Sequence, residues 1–174
     1  MSIDLSHYVR DVADFPKPGV VFKDLPPLLA DARAFAASID ALVAPFAGAR
    51  IERVVGIEAR GFIFGAAAAH ALGAGFVPMR KPKKLPARTI GVDYALEYGS
   101  DRLEMHADAL LRGERVLVVD DVLATGGTLA AAVDLCDEAG AAIAGAAVVA
   151  EIAFLAGRAR WRRAAPLHAV LRFD

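Results

Sequence analysis

Residues 116–128 hold the side chains with the clearest chemical potential in the sequence. They read VLVVDDVLATGGT, an apolar run that ends in Asp120 and Asp121 and passes into a turn with two glycines. This pattern predicts a buried strand and then a turn that opens a helix. A helix N-terminus presents unpaired N–H groups and a positive dipole end, and glycines let the backbone approach an anion. We therefore expect a phosphate-binding turn formed by Ala124, Thr125, Gly126, Gly127 and Thr128.

Asp120 and Asp121 are expected to bind a group other than the phosphate, because carboxylates beside a bound phosphate repel it. Carboxylate oxygens accept hydrogen bonds, and the vicinal hydroxyl groups of a sugar are suitable donors. The segment therefore predicts a pocket for a ribose phosphate.

A second turn of the same design occupies residues 56–61, with the sequence GIEARG. Gly61 allows a close approach, and Arg60 offers a planar set of donors that suits phosphate oxygens. Two such turns at neighbouring strand ends imply a ligand with phosphate groups at both ends. The basic run 80–86, RKPKKLP, also follows an apolar strand. Alone it would be typical of a solvated loop, but beside two phosphate turns it favours anion binding.

Four short apolar runs must position these turns. Their brevity and their Val and Ile content are typical of buried parallel strands, and they cover residues 53–57, 75–79, 115–119 and 142–150. Helical patterns lie between them, including one that ends at Gly73 and one over residues 129–136. The alternation predicts an α/β fold with a central, mainly parallel sheet flanked by helices.

Two regions flank or interrupt this alternation. Apolar residues recur with helical spacing over residues 5–12, which predicts a short helix that stops at the FPKPG of residues 15–19. Asp31 can cap a second helix that runs to about residue 47. Residues 87–106 alternate apolar and polar side chains around a turn at 99–101, which predicts an antiparallel hairpin that leaves the sheet edge. Long connections of this kind are often active-site covers.

Composition limits the classes of protein. The chain has 174 residues, 56% of them hydrophobic, which predicts one domain over residues 1–174. A net charge of -1 gives no electrostatic reason to bind nucleic acid or an anionic membrane. The uncharged stretch 61–79 contains four glycines, His70 and Pro78, which argues against a membrane span. The single cysteine, Cys136, and an N-terminus without an export signal predict a cytoplasmic location.

Other chemical motifs are missing or weak. The sequence has no G-x-x-x-x-G-K-[ST] triphosphate loop, no G-x-G-x-x-G opening a first helix, and no zinc spacing among its four histidines. Cys136 lies on the apolar face of its helix and is expected to be a packed core thiol. The arginines of residues 158–163 favour a solvated helix or a subunit contact over nucleic-acid binding.

On the basis of these residues, the chain resembles the adenine phosphoribosyltransferases over nearly its whole length. Residues 116–128 resemble the signature for phosphoribosyl diphosphate (PRPP) that type I phosphoribosyltransferases share. The resemblance to the adenine enzymes depends on four further segments in the family's order: 14–24 (DFPKPGVVFKD), 58–62 (EARGF), 80–86 (RKPKKLP) and 96–99 (LEYG). It implies the type I phosphoribosyltransferase fold, with a small N-terminal helical and loop region that binds the base and a flexible antiparallel hood.

The resemblance also implies a reaction, in which adenine and PRPP give AMP and diphosphate in purine salvage. It assigns the base to Val21, Phe22 and Lys23, the 5′-phosphate to residues 124–128, and the ribose hydroxyls to Asp120 and Asp121. The diphosphate would contact Glu58, Ala59, Arg60, Arg80, Lys81 and Lys84. Arg60 and Glu97 would be catalytic, with Glu97 and Tyr98 on the hood. Mg²⁺ would be held mainly by substrate oxygens, because the sequence offers no all-protein cage. The family relationship further implies a homodimer, in which Arg80 can be lent across the interface.

Three positions depart from the familiar family pattern: Lys23 stands where some members have Arg, Glu58-Ala59 where others have Asp-Ser, and Lys83 where Gly is common. Lys23 cannot make the bidentate contact of an arginine. Two alternatives stay open: transfer to another purine base, because the sequence does not show what surrounds Phe22, and a regulator that binds PRPP without catalysis, because a fold alone does not fix a function. The run ending at Asp121 also resembles the first strand of a phospho-receiver domain, but only 53 residues follow it, too few for the remaining sheet.

Overall fold

Five parallel strands form the central sheet of the computed structural model, which describes residues 3–95 and 100–174. The strands are β3 (Arg53–Ile57), β4 (Gly75–Met79), β7 (Arg115–Leu123), β8 (Ala142–Ile152) and β9 (Leu167–Phe173). Their order across the sheet is β4-β3-β7-β8-β9. The predicted bounds of β3 and β4 are confirmed, whereas β7 and β8 run beyond residues 119 and 150. Strand β9 was not predicted, because most of its residues keep some exposure and so lack a fully apolar signature.

Helices cover both faces of the sheet. Helices α1 (Pro26–Ala30), α2 (Ala32–Val43) and α3 (Gly61–Leu72) lie on one face, and α4 (Gly127–Glu138) lies on the other. Successive residues of a strand point to opposite faces of the sheet. In β7, Leu117 packs on the side of α1, α2 and α3, and Val118 packs on the side of α4. The α/β prediction is therefore confirmed. Asp31 caps α2 by accepting hydrogen bonds from the backbone N–H groups of Arg33 (2.9 Å) and Ala34 (2.8 Å), and α3 ends at Gly73, both as predicted.

The prediction of a helix over residues 5–12 is wrong beyond its first turn. A 3₁₀ helix spans Leu5–Tyr8, and the chain then forms β1 (Arg10–Ala13), antiparallel to β2 (Val21–Asp24). Two of the cross-strand pairs, Arg10 with Asp24 and Asp11 with Lys23, carry opposite charges, and the Lys23 ammonium lies 2.7 Å from the Asp11 carboxylate. These cross-strand pairs stabilise a hairpin that helical spacing alone does not reveal.

A second hairpin confirms the predicted antiparallel excursion. Strand β5 (Thr89–Ala95) pairs with β6 (Ser100–His106), and Ala95 lies opposite Ser100. Leu103 and Met105 are buried against the α4 side of the sheet, so the hairpin contributes to the core. A bridge between Arg80 and Glu104 joins β6 to the end of β4. Across residues 3–95 and 100–174, no helix has the length and apolarity needed to cross a membrane.

Candidate active site

A cavity of about 580 Å³ opens at the carboxyl edge of the sheet. Parallel α/β sheets commonly bind ligands at this edge. Five parts of the chain meet there, namely β2, the turns after β3, β4 and β7, and the segment after β8. Most of the predicted site residues are among the side chains that line the cavity: Val21, Phe22, Lys23, Glu58, Ala59, Arg60, Lys81, Asp120, Asp121, Ala124 and Thr128.

The turn between β7 and α4 forms a compact cradle. Residues 124–128 surround a smaller cavity of about 70 Å³, and Gly126 precedes the first residue of α4 with φ of +80°. A Cβ atom on Gly126 would lie 2.5 Å from the carbonyl oxygen of Gly157. Only glycine combines this left-handed backbone with such a close neighbour. The N-terminus of α4 thus borders this small cavity, and the free N–H groups of a helix N-terminus are suited to binding an anion.

Asp120 and Asp121 lie immediately before this cradle and have different surroundings. Burial and the neighbouring Asp121 carboxylate raise the pKa of Asp120 well above its ordinary value. Asp121 is buried and accepts a hydrogen bond from Nε of Arg60. Two residues predicted to bind different parts of one substrate thus contact each other directly.

Glu58 organises the basic side of the cavity. It accepts hydrogen bonds from the backbone N–H of Lys81 at 2.9 Å and from Nε of Arg80 at 3.2 Å. Burial acts to raise the pKa of Glu58, but these hydrogen bonds and the positive charge of Arg80 hold it below its ordinary value. Arg80 also donates to the carbonyl of Lys84 at 3.1 Å, and neither Arg80 nor Lys84 lines the cavity. Glu58 is therefore ionised and orients the basic loop.

Lys81 joins the cavity wall to the β5–β6 hairpin. Its ammonium lies 2.8 Å from the Tyr94 hydroxyl on β5 and donates to the Asp101 carboxylate on β6. Burial acts to lower the pKa of Lys81, but the hydrogen bonds with Asp101 and Tyr94 raise it above its ordinary value. A charged Lys81 thus connects the side of the cavity where diphosphate is predicted to bind with the predicted hood.

The side of the cavity formed by β2 is mostly apolar. Val21 is 54% exposed, and the Phe22 ring packs edge-on against Phe15 at 5.2 Å between ring centroids. The Arg60 guanidinium lies 5.3 Å from the centre of the Phe22 ring. Lys23 is directed to Asp11 and to the ring of Phe173, 4.4 Å from its centroid. This wall offers a flat apolar surface with a positive charge beside it.

Three apolar residues of this site lie outside all of the predicted segments: Ile152, Phe154 and Leu155, which follow or end β8. Phe154 is 73% exposed, although it is a large apolar side chain. Its position just past the carboxyl end of a parallel strand was the available signal. Residues 158–163 were expected to form a solvated helix or a subunit contact; a short 3₁₀ helix spans Gly157–Arg160, and its Arg158 forms an ion pair with the buried Glu151.

Two of the predicted residues, Glu97 and Tyr98, lie outside the described residues. Within 3–95 and 100–174, no cluster of three His, Cys, Asp or Glu side chains is placed to hold a metal ion. The assignment of individual roles within the cavity thus depends on its geometry and on likeness to known proteins.

Comparison with known proteins gives one consistent result. The family model for the phosphoribosyl transferase domain matches residues 22–165. The adenine phosphoribosyltransferase of Xanthomonas campestris pv. campestris (strain B100) is 57% identical over 165 residues, 95% of this chain and 89% of that protein. The corresponding protein of Bradyrhizobium sp. (strain ORS 278) is 50% identical over 173 residues, 99% of this chain and 97% of that protein.

Solved structures agree with the sequence matches. The crystal structure of adenine phosphoribosyltransferase from Rhodothermus marinus DSM 4252 superposes with a TM-score of 0.93 at 48% identity, over 97% of this chain and 96% of that chain. The enzyme from Saccharomyces cerevisiae, complexed with an imino-altritol bisphosphate and adenine, gives a TM-score of 0.89 at 38% identity, over 96% of each chain.

Proposed function

This chain belongs to the phosphoribosyltransferase family, within the group of adenine phosphoribosyltransferases, and we propose from this membership that it transfers the 5-phosphoribosyl group of PRPP to adenine. The products are AMP and diphosphate, and the reaction serves purine salvage. The observation that carries the proposal is that two residues of the cradle, Ala124 and Thr128, line one cavity together with two acids, a basic turn and an apolar wall.

The substrates occupy the cavity in a definite order under this proposal. The 5′-phosphate binds the N–H groups and hydroxyls of residues 124–128, and the ribose hydroxyls donate to Asp120 and Asp121. The diphosphate lies near residues 58–60 and Lys81, where the positive charge is concentrated. Adenine packs on Phe22, between Val21 and the apolar residues after β8.

The contact between Arg60 and Asp121 gives these charges a role in binding. A ribose hydroxyl that donates to Asp121 takes the place of the Arg60 N–H, and Arg60 then turns to the diphosphate. The bond between C1′ and the diphosphate oxygen breaks as N9 of adenine bonds to C1′, and the diphosphate gains negative charge. Arg60 and Lys81 stabilise that charge, while Asp120 and Asp121 favour the positive charge that develops on the ribose.

The proton on N9 of adenine must leave during the reaction, and Glu97 is our candidate to accept it. Glu97 and Tyr98 belong to the hood, whose strands are tied to Lys81 through Tyr94 and Asp101. Closure of the hood would exclude water that otherwise hydrolyses PRPP.

Mg²⁺ fits this site as an ion held chiefly by substrate. Its preferred ligands are oxygens, and it usually keeps several water molecules. The cavity offers the carboxylates of Asp120 and Asp121 beside the space for the ribose, and one of them already contacts Arg60. When bound, Mg²⁺ would neutralise part of the charge on the diphosphate.

A homodimer is also part of the proposal. Helix α3 has the sequence GFIFGAAAAHAL, which is apolar on all sides except at His70. Ile63 is 43% exposed, and Ala66 lies one turn further on the same exposed side. A helix that is apolar all round is normally buried, so a second subunit is the expected cover for this stripe. Arg80, which lies outside its own cavity wall, would be available to the partner.

A cytoplasmic location completes the proposal and agrees with a single, unpaired and buried cysteine.

The test is AMP formation from PRPP and Mg²⁺, with adenine, hypoxanthine, guanine and xanthine offered in parallel. We expect selective conversion of adenine with release of diphosphate. Arg60→Gln should lower kcat/KM by at least about a hundredfold, because it removes a charge that acts on the leaving group. Arg33→Gln is the matched control, since Arg33 is exposed on α2 and does not line the cavity. Turnover of another base in preference to adenine would contradict the proposal.

A further inference from the structure

The segment after β8 contacts two parts of the cavity that bind different parts of the substrates. Phe154 and Leu155 line the wall where adenine is proposed to bind. Gly157, two residues later, lies against the phosphate cradle. A Cβ atom on Gly157 would lie 2.1 Å from the carbonyl oxygen of Ala124 and 2.9 Å from the backbone nitrogen of Gly126. A shift of this short segment would therefore disturb the base side and the phosphate side together.

An ion pair between the buried carboxylate of Glu151 and the partly exposed guanidinium of Arg158 holds this segment in place. Glu151 is the second-last residue of β8 and is only 4% exposed. The Arg158 guanidinium donates from Nε to Oε1 of Glu151 at 2.9 Å and from Nη2 to Oε2 at 2.5 Å. Its third nitrogen, Nη1, donates to the carbonyl of Leu167 on β9 at 2.7 Å. Arg158 thus ties the segment to two neighbouring strands, and all three of its nitrogens are used.

The location of the ion pair indicates that it orients segment 153–158 and does not merely stabilise the fold. Burying a carboxylate carries a desolvation cost, and apolar residues of similar size often stabilise a fold as well as a buried ion pair does. What the pair adds is geometry, because a guanidinium that binds a carboxylate with two parallel donors has one orientation. That orientation sets where Phe154, Leu155 and Gly157 lie relative to the ends of β8 and β9.

We propose that Glu151 and Arg158 are positioning residues that couple adenine binding to 5′-phosphate binding through segment 153–158. The inference rests on the proposed function, since it assigns the two sides of the cavity to the two substrates. Neither residue touches a substrate, because neither lines the cavity. Their effect is exerted through the apolar wall on one side and the cradle on the other.

The test compares wild type with Glu151→Gln, Arg158→Lys and the double variant Glu151→Gln/Arg158→Gln. Glu151→Gln keeps the shape of the side chain, and Arg158→Lys keeps the charge but not the paired donors. We expect the KM values for adenine and for PRPP to rise together by about tenfold, equivalent to about 1.4 kcal/mol of binding, with a smaller change in kcat. Arg53→Lys is the matched control, because Arg53 is partly exposed, pairs with the buried Glu114 at 3.0 Å, and lines neither this cavity nor the cradle.

Thermal unfolding of each variant separates positioning from stability alone. A lower Tm with both KM values within about twofold of wild type would overturn the inference, and so would a change in only one of the two KM values. The double variant leaves no lone buried charge, so it keeps the test decisive if a single variant fails to fold. If wild type makes AMP and the KM values do not move, only this inference fails. If wild type makes no AMP, the proposed function fails, and calorimetric titration with adenine and with ribose 5-phosphate must still show the parallel loss of affinity.

Discussion

Replacing Gly126 with alanine should disable the phosphate cradle. Two costs arise at this one position. The backbone has φ of +80°, a conformation that costs a residue with a Cβ about 1–2 kcal/mol. The new Cβ would also lie 2.5 Å from the carbonyl oxygen of Gly157, with two further backbone atoms of Gly157 at 3.2 Å. Because these neighbours are backbone atoms, no side-chain rotation relieves the contact.

Gly113 offers a control that separates the two costs. It has φ of +79°, but nothing lies within 4 Å of an added Cβ. Gly113→Ala should therefore lose only about 1–2 kcal/mol of unfolding free energy. Gly126→Ala should lose about 1–3 kcal/mol more, the usual cost of forcing extra volume into a packed position. Moving the cradle also lengthens its hydrogen bonds to the charged phosphate, each worth about 1.5–3 kcal/mol, so AMP should bind about tenfold to a hundredfold more weakly.

Urea unfolding and calorimetric titration with AMP measure the two effects separately. We expect Gly113→Ala to be destabilised with wild-type affinity for AMP, and Gly126→Ala to be changed in both respects. The reasoning would be refuted if Gly126→Ala were no less stable than Gly113→Ala and bound AMP within about twofold of wild type.

Three further predictions concern the acids and the core. Burial and Asp121 raise the pKa of Asp120, so ionised Asp120 destabilises the folded protein at pH values above its ordinary pKa of 3.8. Asp120→Asn should therefore raise the urea midpoint at neutral pH, with a gain that shrinks toward pH 3.8. The same substitution should slow AMP formation at least about tenfold. Burial raises the pKa of the Cys136 thiol to about 12, so iodoacetamide should modify it only after unfolding, and alkylation of native protein seen by mass spectrometry would contradict this. Leu117→Ala should lose about 2–5 kcal/mol of unfolding free energy, and Leu111→Ala, at a 66% exposed site, less than about 0.5 kcal/mol; equal losses in urea titrations would count against the packing argument.

Local patterns were sufficient where one signal dominated. β3 and β4 were predictable to the residue, because short apolar runs bounded by polar residues and glycine leave few other structures open. The capping of α2 by Asp31 was equally local, since the carboxylate bonds to backbone groups only two and three residues away. The same approach failed over residues 5–12, where the ion pairs between β1 and β2 join residues 12 to 14 positions apart.

The sequence by itself determined the order of the site segments along the chain, and it predicted a chemistry for each, from the 124–128 cradle to the basic turn at Arg60. Only the tertiary structure decided which charges meet. Arg60 contacts Asp121 across 61 positions of sequence, and Lys81 contacts Asp101 across 20. It also brought Phe154 to the cavity wall and Gly157 to the cradle. Contacts between residues so far apart have no periodic signature, because the packing of the whole sheet, rather than the neighbouring residues, sets their distance.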